Sequence, residues 1–115
     1  MPTIADIDPN TQHAARAFIA KVSSQYAVAD AILFGSRARR NGRVDSDLDI
    51  AVVLRGNRDR FVDTKLALAD IAYDVLLETG ILIQALPLWE DELKQPERYT
   101  NPDLLRNISR EGIKL

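Results

Sequence analysis

Two aspartates separated by a single residue, Asp47 and Asp49, open the apolar run Leu48–Leu54, and a Gly35-Ser36 pair closes an earlier apolar run, Ala31–Phe34. On a strand, residues i and i+2 face the same way, so both carboxylates point to one side. Two such anions repel unless a cation lies between them, and Mg²⁺, with its preference for oxygen ligands, is the natural one. Where a buried strand turns into a helix, a glycine lets the backbone come close to a ligand. The N–H groups of the helix start, with the Ser36 hydroxyl, then suit a phosphate. Arg37, Arg39, Arg40 and Arg43 lie between the two features and can offset the charge of a polyphosphate. Taken singly, each feature has a plainer reading: a turn, a solvated strand end, a solvated arginine face. The conjunction, with the Asp-x-Asp eleven residues after Ser36, describes a site for a metal-bound nucleoside triphosphate.

These residues need elements to hold them. A first helix is predicted from Asn10 or Thr11, with Ala14, Ala15, Phe18, Ile19, Val22 and Tyr26 at helical spacing. A short buried strand follows at Ala31–Phe34, and Ser36 caps a helical turn through Arg40 that ends at Asn41-Gly42. The second strand, Leu48–Leu54, is apolar on both faces beyond Asp49 and is therefore predicted to be central in its sheet. Asp59 is placed to cap a long helix ending near Thr79, with Val62, Leu66, Ala69, Ala72, Tyr73 and Leu76 as its buried stripe and Gly80 as its stop. A third strand is predicted over Ile81–Leu86, closed by Pro87. A helical turn and loop then reach Tyr99, with Trp89 packing at the sheet edge. Asn101-Pro102 starts a last helix with Leu104, Leu105 and Ile108 inward and Gly112 past its end. The order αβαβαβα reads as an α/β (α+β) fold, a small mixed sheet with packed helices.

Composition limits what else the chain could do. At 115 residues it is read as a single domain, 1–115, with one core. Its 46% hydrophobic and 28% charged residues are an ordinary globular balance. With no cysteine, disulfides and thiolate chemistry are excluded and a cytoplasmic setting is the default expectation, and a single His excludes a multi-His metal site. No run reaches the ~18 apolar residues of a membrane span, and the polar Met1–Asn10 stretch does not resemble a signal peptide. A net charge of −2 argues against a protein built to coat nucleic acid. That average conceals seven arginines (37, 39, 40, 43, 55, 58 and 60) around four aspartates (45, 47, 49 and 59). His13 is read as a surface residue of the first helix, Asp45 as a loop residue, and Asp74 and Glu78 as solvent-facing acids.

The pattern Gly35-Ser36-Arg37-Ala38, then Ser46-Asp47-Leu48-Asp49-Ile50, resembles the nucleotidyltransferase (polymerase beta-like) superfamily, specifically its minimal nucleotidyltransferase (MNT) branch. The closing stretch Leu105–Gly112 is similar to the last helix of these proteins, so the likeness runs over nearly the whole chain. The resemblance implies that Gly35 and Ser36, with Arg37 and Arg39, hold the triphosphate of ATP and that Asp47 and Asp49 bind Mg²⁺. It implies transfer of AMP to an acceptor hydroxyl with release of pyrophosphate, chemistry that needs positioning and charge neutralisation more than covalent help. Fully equipped members carry a third carboxylate on a later strand. Here the corresponding strand contains Gln84, whose carbonyl oxygen is a weak ligand and which cannot act as a base.

Minimal members commonly pair with a helical HEPN-type protein as antitoxin and toxin, and some place AMP on a tyrosine of that partner. The resemblance thus implies an antitoxin of adenylyltransferase type, in a homo- or hetero-oligomer, with the acceptor supplied by another chain. The missing acid supports an alternative, a catalytically weak or inactive antitoxin that neutralises its partner by binding. A third reading takes the arginines as a nucleic-acid contact, whose affinity would fall steeply with salt.

Overall fold

The computed structural model describes residues 7–35, 47–56 and 59–115. Helix α1 (Pro9–Ser23) leads to strands β1 (Val28–Phe34) and β2 (Leu48–Leu54), and helix α2 (Phe61–Thr79) to strand β3 (Ile83–Trp89). Helix α3 (Glu90–Lys94), a 3-10 turn at Pro96–Arg98, helix α4 (Pro102–Glu111) and the two-residue strand β4 (Ile113–Lys114) complete the chain. The helical turn expected over Ser36–Arg40 lies outside the described residues. Among the described residues no helix is long and apolar enough to cross a membrane.

The strands form one mixed sheet in the order β3-β2-β1-β4. β1 runs antiparallel to both β2 and β4, whereas β2 and β3 are parallel. As its apolar pattern predicts, β2 is interior and buried on both faces. Leu48, Ile50, Val52 and Leu54 pack with Phe18 and Val22 of α1 and Leu68 and Val75 of α2. Ala51 and Val53 pack on the other side with Ile32, Leu88, and Leu105 and Ile108 of α4. Helices on both faces of a small mixed sheet are the architecture expected from the sequence.

Several boundaries differ from expectation. Asp8, not Asn10 or Thr11, caps α1: its carboxylate accepts hydrogen bonds from the Thr11 N–H at 3.0 Å and from the Thr11 hydroxyl at 2.6 Å. β1 starts at Val28, three residues before the predicted Ala31. β3 runs through Pro87 to Trp89 instead of stopping at Leu86, which an edge strand permits because a missing N–H there need cost no ladder bond. Arg60, not Asp59, precedes α2, and the Asp59 carboxylate accepts from the Arg60 N–H at 2.8 Å. Gly80 does end α2, at a φ of +78°, with its N–H donating to the Leu76 carbonyl at 2.8 Å. Asn101 caps α4 as predicted, while β4 after Gly112 is an element that two residues of sequence do not announce.

The largest correction concerns the buried stripe of α2. Its buried residues are Thr64, Leu68, Ile71, Ala72 and Val75. Of the predicted stripe, Val62, Leu66 and Tyr73 are 65%, 61% and 58% exposed, Ala69 is exposed, and only Ala72 is fully inside. The helix carries apolar side chains on two opposite sides, so periodicity offers two stripes of similar quality. The β2-α2-β3 crossover, which must deliver Gly80 into a strand parallel to β2, selects between them.

Candidate functional site

Strand register brings the candidate residues to one end of the sheet. Phe34 lies opposite Asp49 across the β1–β2 pair, and Asp49 lies opposite Gln84 across the β2–β3 pair. Residues directly opposite in a ladder share a face, so Asp49 and Gln84 project to the α4 side, with Ala51 and Val53. Asp47 immediately precedes β2 and is exposed. Its Oδ2 accepts a hydrogen bond from the Gln84 Nε2 at 3.3 Å. Gln84 thus links the two aspartates in one polar cluster, meeting Asp47 through this bond and Asp49 through strand register, although Asp47 itself lies just outside β2.

Gly35, the residue after β1, closes this cluster from the other side. Its φ is +78°, a backbone state that side chains rarely adopt, and a Cβ built on it would overlap the Asp49 carboxylate. Two independent constraints thus require glycine here, and together they hold the chain backbone directly against Asp49. Ser36, Arg37 and Arg39, the other predicted triphosphate contacts, lie outside the described residues, as do Arg40, Arg43 and Asp45. Of the seven arginines around the acidic stretch, Arg55 and Arg60 are described and lie at the opposite end of β2. For Arg55 that is roughly 26 Å from Asp47 at ~3.3 Å per strand residue. Arg60 there faces Asp63 at 3.8 Å. The two described arginines of the surround read from sequence are therefore not at the acidic end of β2.

The donor set fits a hard divalent cation. It offers the oxygens of two adjacent carboxylates and the amide oxygen of Gln84, at a sheet end where Asp47 is open to solvent. Mg²⁺ is commonly held by one or two carboxylates and completes its shell with water and substrate phosphates. Among the described residues no group of three or more His, Cys, Asp or Glu could hold a metal ion by itself. Asp74 and Glu78 are exposed on α2, behind the sheet face that carries Asp49, and Glu78 pairs with Lys21 at 3.0 Å. His13 is exposed on α1, beside Asp8, Asn10 and Glu78 in an open surface hollow. Trp89 is buried at the end of β3. Sequence reasoning singled out Gln84 but missed its bond to Asp47 and the contact between Gly35 and Asp49, because both depend on strand register.

Comparison with known proteins agrees with this architecture. Residues 15–115 match the sequence model of the family described as "Nucleotidyltransferase domain". Among solved structures, a crystal structure of a protein from Sulfolobus solfataricus, provisionally assigned as a nucleotidyltransferase, is similar in fold with a TM-score of 0.54. The two chains are 18% identical, and the match covers 93% of this chain and 86% of the other. No functionally curated protein matches the sequence.

Proposed function

The chain belongs to the nucleotidyltransferase domain family, and on that premise we propose that it transfers AMP from ATP to a tyrosine hydroxyl of a HEPN-type helical toxin, as that partner's cytoplasmic antitoxin. The observation that carries this reading is the glycine pressed against the acidic pair. Gly35 brings bare backbone to Asp49, beside Asp47 and Gln84, at the open end of β2, a strand buried from Ile50 to Leu54. Such a place suits a cation-bound triphosphate: the carboxylates would hold the cation, and the bare backbone lets the phosphates come close.

Asp47 and Asp49 would hold Mg²⁺, which when bound neutralises triphosphate charge and makes an acceptor oxygen more nucleophilic. The chain's own contribution is positional. Gly35 and the segment from Ser36 would seat the β- and γ-phosphates, and Arg37 and Arg39 would offset their charge. The acceptor oxygen then bonds to the α-phosphorus, the bond to the bridging oxygen breaks, and pyrophosphate leaves. Gln84 cannot take the hydroxyl proton, so among the described residues of the cluster only Asp47 and Asp49 can receive it. Gln84 instead steadies Asp47 by its hydrogen bond.

Incubating the chain with α-labelled ATP and Mg²⁺, with and without a co-expressed HEPN-type partner, tests the proposal. Label should appear on a partner tyrosine only when Mg²⁺ is present. No label on any acceptor would overturn it. Gln84 at the third strand position favours a second reading, neutralisation by contact alone. In that case the Asp47→Asn, Asp49→Asn double variant would still protect cells from the partner.

A further inference from the structure

Helix α2 presents, on the side away from the sheet, an apolar face that no described residue covers. Val62, Leu66, Ala69, Tyr73 and Leu76 succeed one another at intervals of four, three, four and three residues, with Leu77, 69% exposed, beside the last. This spacing matches the heptad seam of a two-helix coiled coil, in which Leu66 and Tyr73 would take one core position and Val62, Ala69 and Leu76 the other. It lies opposite the buried Leu68, Ile71 and Val75, and among the described residues Val62, Leu66, Ala69 and Tyr73 of the seam stay exposed.

The charges beside the seam identify the occupant. Lys65 borders one side and Asp70 the other, five residues apart. In a parallel pair of identical helices, that spacing sets each Lys65 against Asp70 of the second copy, twice over. In an antiparallel pair the same flank meets itself, so Asp70 would face Asp70 and be repelled. Within one copy Lys65 stands only over the Phe61 ring, at 5.9 Å, and Asp70 makes no ion pair among the described residues.

We propose that two copies of this chain pair through the α2 seam, side by side and parallel, with reciprocal Lys65–Asp70 ion pairs. The arrangement has a consequence for the polar cluster. β3 begins just beyond Gly80, so Gln84 and the aspartates lie toward the C-terminal end of α2, on the sheet face away from the seam. Parallel pairing sets both clusters at the same end of the dimer, each facing outward and open. The pairing is independent of the transfer reaction proposed above.

Sedimentation equilibrium of the full chain, from low to high micromolar concentration, should show a mass rising from 12.9 kDa toward twice that value. Leu66→Glu and Tyr73→Glu should each hold the mass at the monomer value throughout. At concentrations low enough for the parent chain to be monomeric, their circular dichroism and thermal midpoint should match the parent's, because both side chains are exposed in one copy. Lys65→Glu should weaken association by roughly tenfold, as two attractive pairs become repulsive, and adding Asp70→Lys should restore it. A monomer at every concentration, a dimer indifferent to Leu66→Glu, or a Lys65→Glu defect that Asp70→Lys does not rescue would each overturn the proposal.

Discussion

The two ends of strand β2 differ although they share a face of the same sheet. Asp49 is half-buried near one end, while Ala51 and Val53, two and four residues on, are buried beneath Leu105 and Ile108 of α4. What separates them is cover: helical packing seals the later positions and leaves the first ones at the open sheet end. A carboxylate at the covered end would lose its hydration and cost several kcal/mol. At the open end it keeps water until a ligand replaces it. One strand can therefore supply both a rigid foundation and a charged site, and rigidity at one end fixes the geometry at the other.

That division can be broken most sharply at the acidic end. The double variant Asp47→Asn, Asp49→Asn should lower label transfer from ATP by about 10²–10³-fold or more. Its thermal midpoint should stay level or rise, since two neighbouring like charges disappear. A loss of activity that tracked unfolding would refute the separation. The reverse experiment is Leu105→Ala under the covered end. It should cost about 2–5 kcal/mol in urea unfolding, while transfer per folded molecule stays unchanged.

Gly35→Ala touches both halves of the comparison. It forces a side chain into a left-handed backbone and against the Asp49 carboxylate. We expect about 1–3 kcal/mol of lost stability, together with weaker ATP binding by calorimetry. Unchanged binding would show that the close approach serves only the turn. The smallest effect sharpens the chemistry. Gln84→Glu supplies a third carboxylate beside Asp47 and should raise transfer about tenfold, equivalent to ~1.4 kcal/mol in the barrier. A fall would show that the amide's hydrogen bond to Asp47 matters more than a third acid.

Much of this was legible in the residues. The bounds of β2 and its place inside the sheet followed from apolar residues on both faces, and the glycine stop and the Asn101 cap followed from local backbone chemistry. The face of Asp49, shared with Ala51 and Val53, followed from the two-residue period of a strand. The stripe of α2 did not, because Leu66 and Leu68 are equally apolar and only the sheet decides which turns inward. Nor did the full length of β3, since Pro87 reads as a terminator until its strand is known to be an edge.

By itself, the sequence determined the inventory of the candidate site: two carboxylates at the start of a strand, a glycine where the preceding strand ends, and no cysteine or second histidine to offer other chemistry. Local rules suffice for these, because strand alternation and glycine's freedom involve only near neighbours along the chain. Tertiary structure decided what meets across strands. It placed Gln84 beside Asp49 and in reach of Asp47, set Gly35 against Asp49, sent Arg55 and Arg60 to the far end, and left one apolar stripe of α2 outside. Those outcomes depend on register and crossover geometry, which join residues tens of positions apart and leave no periodic trace in either segment alone.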